Sequence, residues 1–284
     1  MPKIKNIKTN IPPTDFLILL SYAINKPKEF ILAHPEYKLN IFAYLKLKWF
    51  LYQAKQGYSI AAIIKNKEFF GLNFYINKHV LVPRPETEIL VEEVIKTIQS
   101  TDTLIDIGTG SGCILISILK NIPIKNAFGL DISRQALCVA KKNSETQNVS
   151  PTFLHSDLLN TKSIQKKISP TRNIFITANL PYLTDEQFKN SLSIQKEPRL
   201  ALVAKNQGLE LYEKLFIFLS GTKDPFVSHS NIHFFLEIDP SQSIKIKTLI
   251  TKYFPNAKII IKKDFSGKER LVVIHPQTPT SADK

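Results

Sequence analysis

The sequence predicts an α/β protein in which a small helical domain precedes a Rossmann-like, mostly parallel sheet with an antiparallel C-terminal strand pair. The chain has 284 residues, enough for one main domain and a smaller module. Short apolar runs alternate with helical patterns through its middle, and two strand-like runs joined by a short connection end its C-terminal third. Parallel strands are predicted at residues 104–107, 127–130, 152–155, 174–178 and 234–238, and the final pair at residues 258–261 and 271–274.

The region before the sheet is predicted to contain helices and one hairpin. Apolar residues recur at helical spacing from Thr14 to Lys65. β-Branched and aromatic residues then cluster around Gly71, which predicts a β-hairpin, and a helical pattern follows over residues 86–99. The predicted divisions are a helical domain at residues 1–66, a hairpin linker at residues 67–84 and the main domain at residues 85–284.

Composition indicates a folded, strongly basic protein. Apolar residues make up 43% of the chain, which supports an ordinary hydrophobic core. The formal net charge is +14 and the pI is near 9.6, values that suit an anionic partner such as a nucleic acid or an acidic protein. The lysines are scattered and form no long basic run, so a solvated, lysine-rich surface is the favoured interpretation and nucleic acid the weaker alternative.

The cysteines and the N-terminus predict a cytoplasmic protein without a membrane anchor. Cys113 and Cys138 have neither metal-knuckle nor disulfide-framework spacing, so no metal site is predicted and a reducing compartment fits. Basic residues precede an apolar run at residues 16–24, but this run is too short to span a membrane, and Pro12 and Pro13 before it indicate a helix start. A monomer is expected.

A glycine-rich loop follows the first predicted strand of the sheet. Residues 103–112 have the sequence TLIDIGTGSG, and an apolar helical pattern continues after them. Glycine allows a tight strand-to-helix turn and a close approach of the backbone to a ligand, while the helix N-terminus offers free N–H groups. The predicted ligand-binding residues are Gly108, Thr109, Gly110, Ser111 and Gly112. A turn that needs glycine for its geometry alone is the structural alternative.

Acidic residues near the loop indicate what it binds. Asp131 ends the second strand of the sheet, where a carboxylate can accept the hydroxyls of a ribose, as in both dinucleotide and S-adenosylmethionine sites. The GxGxG spacing and the preceding Asp106, which suits the positive end of a methionine-bearing cofactor, favour S-adenosylmethionine over NAD. Asp157 and Leu158, after the third strand, are candidates for binding and packing the adenine, although Asp157 at a strand end equally suits a helix N-cap.

The fourth strand of the sheet ends in the tetrapeptide Asn179-Leu180-Pro181-Tyr182. In an open α/β sheet ligands bind beyond the carboxyl ends of the strands, so this corner is expected beside the glycine loop. It is the best candidate for the chemistry. A simple Asn-x-Pro turn is the alternative for these residues when they are taken alone.

These motifs together resemble those of the peptide chain release factor glutamine N5-methyltransferases, the PrmC/HemK family. The resemblance spans nearly the whole chain, and its most specific element is the proline-arginine-proline-glutamate stretch ahead of the glycine loop. The matching stretches are Leu81-Val-Pro-Arg-Pro-Glu-Thr-Glu88, Asp106-Ile-Gly-Thr-Gly-Ser-Gly112, Asp131-Ile-Ser-Arg-Gln-Ala-Leu137, Ser156-Asp157, Asn179-Leu-Pro-Tyr182, Glu197-Pro198, Ala201-Leu202, Gly208-Leu209, Lys263-Asp264 and Arg270.

The resemblance implies a class I methyltransferase sheet and methyl transfer from S-adenosylmethionine to the glutamine amide of the Gly-Gly-Gln loop of peptide chain release factors. The Asn179 side-chain oxygen and the carbonyl of residue 180 would accept the two N–H groups of that amide, and Tyr182 would stack on it. Pro181, Arg84 and Glu197 are further expected substrate-binding residues. The N-terminal helical domain would help to dock the release factor, and no general base is expected.

The sequence departs from the family pattern in two regions. Leu180 replaces the first proline of Asn-Pro-Pro-Tyr, so the corner is expected to keep its acceptors but to lose some rigidity. Lys205, Gln207 and Asp239 replace a glycine, an aspartate and a glycine, and these differences affect the expected substrate fit rather than cofactor binding.

Two other functions fit part of the pattern. Methyltransferases of exocyclic base amines share the Asn-x-Pro-Tyr corner, with a flipped base in place of the glutamine, and the basic charge suits them. A non-catalytic S-adenosylmethionine-binding protein is the third hypothesis, suggested by Leu180. The arginine-bearing stretch and the helical domain favour the protein substrate, and the intact Asn179 and Tyr182 argue against a loss of catalysis.

Overall fold

The computed structural model describes residues 1–159, 173–191, 194–221 and 231–275. The chain divides into two compact units. The first comprises Met1–Asn66 and Ser191–Lys196, and the second comprises Lys67–Asn190 and Glu197–Lys284.

The first unit is helical and has its own apolar core. Its helices are α1 (Pro13–Ile24), α2 (Lys28–Ala33), α3 (Ile41–Lys55) and α4 (Ile60–Ile64), with a short 3-10 helix at Ile4–Asn6. Pro13 occupies the first turn of α1, where its missing N–H costs nothing, and the side chain of Asn40 caps α3 by accepting from the N–H of Ala43. Leu19, Leu20 and Leu47 are completely buried between these helices.

One face of α3 carries an exposed apolar stripe, formed by Phe42, Leu45, Trp49 and Tyr52. These side chains are 54–80% exposed, and the rings of Trp49 and Tyr52 stack with their centroids 5.6 Å apart. They recur every three or four residues, so they project from the same side of the helix. A contiguous exposed apolar patch of this kind is characteristic of an interaction surface.

A hairpin begins the second unit. Its strands are β1 (Asn66–Phe69) and β2 (Leu72–Tyr75), joined by a two-residue turn in which Phe70 and Gly71 both have positive φ angles. The strands are therefore shorter than the predicted segment. Asn143 ties the hairpin to the glycine loop, because its side chain exchanges two hydrogen bonds with the Tyr75 backbone and donates a third to the carbonyl of Ser111.

The main sheet of the second unit has seven strands in the order β5-β4-β3-β6-β7-β9-β8. Strands β3 to β7 are parallel, whereas β9 runs antiparallel to both β7 and β8. The strands are β3 (Thr103–Ile107), β4 (Asn126–Asp131), β5 (Thr152–His155), β6 (Asn173–Ala178), β7 (Asn231–Glu237), β8 (Lys258–Lys263) and β9 (Glu269–His275). The predicted mostly parallel sheet with an antiparallel C-terminal pair is confirmed, and most strands extend the predicted runs by one to three residues.

Helices cover both faces of this sheet, and their apolar sides form two cores. The interior strand β3 is buried along its whole length because both of its faces are covered. The helices are α5 (Glu88–Ile95), α6 (Cys113–Asn121), α7 (Arg134–Thr146), α8 (Asp185–Asn190), α9 (Glu210–Gly221) and α10 (Ser243–Tyr253), with 3-10 turns at Pro85–Thr87, Arg199–Ala201, Asn206–Gly208 and Pro240–Gln242. One core surrounds Leu115 and Val91, and the other surrounds Phe216 and Ile246.

The sheet brings the predicted functional segments together at one edge. Ile107 at the end of β3 is in register with Leu130 on one side and with Ala178 on the other. The residues that follow these three strands therefore emerge side by side. Within the described part of the chain, no helix is both long and apolar enough to cross a membrane.

Candidate active site

The glycine loop has a backbone conformation that side chains rarely adopt. Gly108, Gly110 and Gly112 have φ angles of 69°, 55° and 80°, in the left-handed region where a β-carbon is strained. A β-carbon on Gly108 would also lie 3.0 Å from Cδ2 of Leu180. The loop therefore needs glycine both for its turn and for its close approach to the Asn179 corner.

Asp131 closes the loop from the neighbouring strand. Its two carboxylate oxygens accept hydrogen bonds from the N–H of Gly110, at 2.9 Å, and from the N–H of Ser133, at 2.8 Å. Burial raises the pKa of Asp131, and these two backbone donors oppose that rise. Each oxygen keeps a second lone pair, so the carboxylate can still accept hydroxyl donors from a ligand.

Asp106 lies at the base of the loop and is completely buried. The hydroxyl of Thr177 donates to its Oδ1 at 2.8 Å, while its Oδ2 has no hydrogen-bond partner among the described residues. Burial raises the pKa of Asp106 to about 7, against the effect of the Thr109 and Thr177 hydroxyls. The Thr109 hydroxyl likewise makes no hydrogen bond of normal length in the described structure, although it lies near enough to Asp106 to lower the pKa of that carboxyl.

The Asn179 corner lies directly beside the loop. The Asn179 Nδ2 donates to the hydroxyl of Thr87 at 3.2 Å. Leu180 is 3% exposed and packs in the core, and its N–H points to the hydroxyl of Tyr212 at 3.4 Å. The sequence predicts a less rigid corner at Leu180; in the structure the leucine side chain is restrained by packing in the core, and the looser corner stays a prediction.

A cavity of about 330 Å³ joins the loop, Asp131 and the Asn179 corner. Its volume is in the range of small-molecule sites. Eleven of the predicted site residues line it: Arg84, Gly108, Thr109, Gly110, Ser111, Asp131, Asp157, Leu158, Asn179, Leu180 and Pro181. The structure thus gathers segments that lie far apart in the sequence around one concave site.

Four predicted site residues, Asp106, Gly112, Tyr182 and Glu197, do not line this cavity. Asp106 lies beneath the loop, and Gly112 is the N-cap of α6. Tyr182 is directed elsewhere, because its hydroxyl donates to Oε1 of Glu237 at 3.2 Å.

Glu197 binds other residues of the chain rather than facing the cavity. Its carboxylate forms an ion pair with Arg84 at 2.5 Å and accepts from the N–H of Val82 at 3.1 Å. The Glu197 side chain is buried, whereas Arg84 is partly exposed and lines the cavity. The two predicted substrate-binding residues therefore meet, and the glutamate orients the arginine.

Two release factor glutamine methyltransferases are similar to this chain over most of its length. A release factor glutamine methyltransferase from Flavobacterium psychrophilum is 34% identical over 271 residues, which cover 92% of this chain and 90% of that protein. A second, from Enterococcus faecalis, is 32% identical over 231 residues and covers 80% of this chain and 79% of that protein.

The chain belongs to the release factor glutamine methyltransferase family.

Two further comparisons concern the methyltransferase fold. The family model for ribosomal protein L11 methyltransferase (PrmA) matches residues 84–179, which include the glycine loop and Asp131. The catalytic domain of hMettl16, solved with the MAT2A 3′UTR hairpin 1, covers 78% of this chain and 79% of that one, with 17% identity and a TM-score of 0.56. At that identity the likeness shows the fold alone. The resemblance drawn from the motifs, the class I methyltransferase sheet and the assignment as an enzyme are confirmed.

Sequence reasoning missed several residues that line this cavity. Thr87 lines the cavity and binds Asn179, and Ile132 and Leu200 add apolar walls. Thr87 lies inside the Leu81–Glu88 stretch already singled out, so that motif was the available signal. Ile132 and Leu200 carry no comparable signal, because isolated apolar residues at the end of a strand or in a loop are common in any α/β protein.

Proposed function

We propose that this methyltransferase transfers a methyl group from S-adenosylmethionine to the side-chain amide nitrogen of the glutamine in the Gly-Gly-Gln loop of peptide chain release factors. The observation that carries the proposal is the single cavity shared by the glycine loop, Asp131 and the Asn179 corner. The names of the family members that match most of this chain support the choice of substrate.

The residues around the cavity fit the proposed cofactor. Asp131 has free lone pairs for the ribose hydroxyls, and Asp157 with Leu158 would bind and pack the adenine. Asp106 does not line the cavity, but it is buried beneath the glycine loop, and from there its carboxylate would attract the cationic methionine end of the cofactor. S-Adenosylmethionine supplies the electrophilic methyl group, and the residues of the chain hold the two reactants in line.

The substrate amide needs to be oriented, because its nitrogen lone pair is delocalised into the carbonyl. In the described structure neither Asn179 Oδ1 nor the carbonyl oxygen of Leu180 accepts a hydrogen bond, so both are free for the two N–H groups of a glutamine amide. Holding both hydrogens would aim the nitrogen at the methyl group and stabilise the positive charge that develops on it. The proton is lost after transfer, so no general base is assigned.

Tyr182 has a different proposed role from the one that the motif implied. Its hydroxyl is held by Glu237, and Tyr182 is not among the residues that line the cavity. We assign Tyr182 to holding the end of the tetrapeptide in place. Stacking on the substrate amide stays a prediction that needs a substrate-bound structure.

Methyl transfer to a release factor with an intact Gly-Gly-Gln loop tests the function directly. The protein is incubated with labelled S-adenosylmethionine and the release factor, and mass spectrometry maps the methyl group; duplex and single-stranded DNA serve as parallel substrates. Asn179→Ala should abolish transfer while cofactor affinity remains measurable, and Asn190→Ala, at the end of α8, is the matched control. Methylation of DNA alone, or wild-type turnover by Asn179→Ala, would end the assignment.

We further propose that the helical unit docks the release factor through the apolar stripe of α3. Phe42, Leu45, Trp49 and Tyr52 are exposed, although burial of such side chains would be favourable. Trp49→Ala should raise KM for the intact release factor without changing kcat on a short Gly-Gly-Gln peptide. Ile244→Ala, an 81% exposed residue of α10, controls for loss of surface apolar area alone. Equal KM values in all three proteins would contradict the docking role.

A further inference from the structure

A buried polar network lies behind the Asn179 corner, and methyl transfer as proposed above does not use it. Thr87 comes from the 3-10 turn before α5, and Glu237 ends strand β7. Their side chains are almost inaccessible to solvent, with Thr87 2% and Glu237 3% exposed. Buried polar groups of this kind are costly unless they are paired, so their arrangement calls for a function.

Both ends of the catalytic tetrapeptide are connected to this network. Asn179 Nδ2 donates to the Thr87 hydroxyl at 3.2 Å, and the Tyr182 hydroxyl donates to Oε1 of Glu237 at 3.2 Å. Glu237 Oε2 makes no hydrogen bond of normal length to any described residue. The backbone carbonyl of Glu237 accepts from the hydroxyl of Tyr212 at 2.5 Å, which fixes the end of β7 beside the corner.

The direction of these hydrogen bonds follows from the number of protons. A threonine hydroxyl has one proton, and while it accepts from Asn179 Nδ2 that proton is available to another acceptor. Oε2 of Glu237 is buried and has no other partner among the described residues, and the Thr87 hydroxyl is the strongest influence that lowers the pKa of Glu237 against the rise caused by burial, so we infer that Thr87 donates to this oxygen. The hydrogen-bonded chain therefore runs from the Asn179 NH2 group to the Thr87 hydroxyl and on to the Glu237 carboxylate. The other polar atom of the amide, Asn179 Oδ1, is left to face the cavity.

We propose that Thr87 and Glu237 are positioning residues that fix the polarity of the Asn179 amide, so that its oxygen and not its NH2 group meets the substrate. This inference rests on the proposed function, because it concerns the acceptor that would grip the glutamine. If the Asn179 amide were rotated by half a turn, its NH2 group would face the NH2 group of the substrate glutamine, and neither could accept a hydrogen bond from the other. The Tyr182–Glu237 bond anchors the other end of the tetrapeptide to the same carboxylate.

Thr87→Val and Thr87→Ser test the proposal together. Valine keeps the branched shape and removes the hydroxyl, whereas serine keeps the hydroxyl. Thr87→Val should lower kcat on the release factor by about 10- to 100-fold, the effect of one lost buried hydrogen bond at the reacting group. KM for the release factor and the dissociation constant of S-adenosylmethionine should stay within about twofold, and Thr87→Ser should recover most of the rate.

Two further measurements keep the proposal testable whatever the stability of the valine variant. Glu237→Gln retains the size of the side chain but has one acceptor oxygen for two hydroxyl donors, so it should also lower kcat at unchanged cofactor affinity. NMR of the Asn179 side-chain NH2 group, without any substrate, should show slow hydrogen exchange in the wild type and Thr87→Ser, and fast exchange in Thr87→Val.

The outcomes separate the inference from the proposed function. Wild-type kcat in Thr87→Val, a serine variant as slow as the valine variant, or unprotected Asn179 NH2 protons in the wild type would each overturn the positioning role. Absence of methyl transfer by the wild type would overturn the proposed function instead, and the exchange measurement would still decide the orientation of the amide.

Discussion

Gly208 lies against the backbone of Tyr182 so closely that no side chain fits between them. A β-carbon on Gly208 would be 1.9 Å from the carbonyl oxygen of Tyr182, and the φ angle of Gly208 is +82°. The same carbonyl accepts a hydrogen bond from Gln242 Nε2 at 3.2 Å. The loop at Asn206–Gly208 therefore supports the Asn179–Tyr182 tetrapeptide through its last residue.

Gly208→Ala should displace Tyr182 and so impair both folding and catalysis. The left-handed φ alone costs about 1–3 kcal/mol, and the clash with a backbone oxygen adds to it. Gly267→Ala is a matched control, since Gly267 has the same φ of +82° but nothing within 4 Å of a β-carbon. Thermal unfolding should show the larger loss in Gly208→Ala, and only that variant should lose methyl transfer. Equal losses in both variants would mean that the contact with Tyr182 is unimportant.

Leu180→Pro should not improve the enzyme, although proline is the family residue at this position. Leu180 packs in the core beside Gly108, and its N–H points to the Tyr212 hydroxyl. Proline removes that donor and part of the buried side chain, which should lower the free energy of unfolding by about 1–3 kcal/mol. Urea denaturation and steady-state kinetics test this expectation, with Leu180→Met as a control of similar volume. A proline variant that is both faster and more stable would contradict it.

The sheet was predictable from the sequence because its strands are short apolar runs bounded by polar or glycine-rich segments. Strand β5 at Thr152–His155 has the predicted bounds, and Asp131 ends β4 as expected. The pattern is strong because a strand buried on both faces, such as β3, consists mostly of apolar residues. Signals of this kind depend only on residues that are close together in the sequence, so they can be identified without knowing the tertiary structure.

The contacts that complete the site were not predictable, because they join residues distant in the sequence. Thr87 and Asn179 are 92 positions apart, and Arg84 and Glu197 are 113 positions apart. Whether a glutamate faces a substrate or pairs with an arginine depends on tertiary packing, which the spacing of apolar residues does not reveal. The motif implied that Glu197 binds substrate, whereas the structure pairs it with Arg84 and the backbone of Val82.

Asp106→Asn should stabilise the cofactor-free protein at neutral and alkaline pH. Burial raises the pKa of Asp106 from 3.8 to about 7 in the folded state. Between these values the folded protein holds a proton that the unfolded chain has released, so stability falls as pH rises through this window. Asparagine can accept the same hydrogen bond from Thr177 but does not ionise. At pH 8 the variant should therefore be more stable by about 2–4 kcal/mol.

Urea denaturation of both proteins from pH 4 to pH 8, without cofactor, measures this difference. The two free energies of unfolding should converge toward pH 4 and diverge toward pH 8. The variant should also bind S-adenosylmethionine more weakly, because the carboxylate proposed to face the cationic end of the cofactor is lost. Parallel stability curves would show that Asp106 does not carry the raised pKa.

A second pH effect, of opposite sign, is expected from the pair His233 and His275 on neighbouring strands. Their Nδ1 atoms are 2.7 Å apart, so one ring must donate and the other accept, which two neutral imidazoles can do and two imidazolium ions cannot. Burial lowers the pKa of His233, an effect that the charge of His275 increases and that of Asp102 opposes. Burial and the charge of Lys258 lower the pKa of His275.

Stability should therefore decrease as pH falls from about 7 to 5, because the unfolded chain binds protons that the folded pair resists. His275→Gln keeps hydrogen-bonding capacity but cannot titrate, so the slope of unfolding free energy against pH should be shallower in this variant than in the wild type. Denaturation at half-unit pH steps compares the two slopes directly and cancels the contribution of carboxylates common to both proteins. A slope that stays unchanged in His275→Gln would show that the histidine pair is not protonated on unfolding in this range.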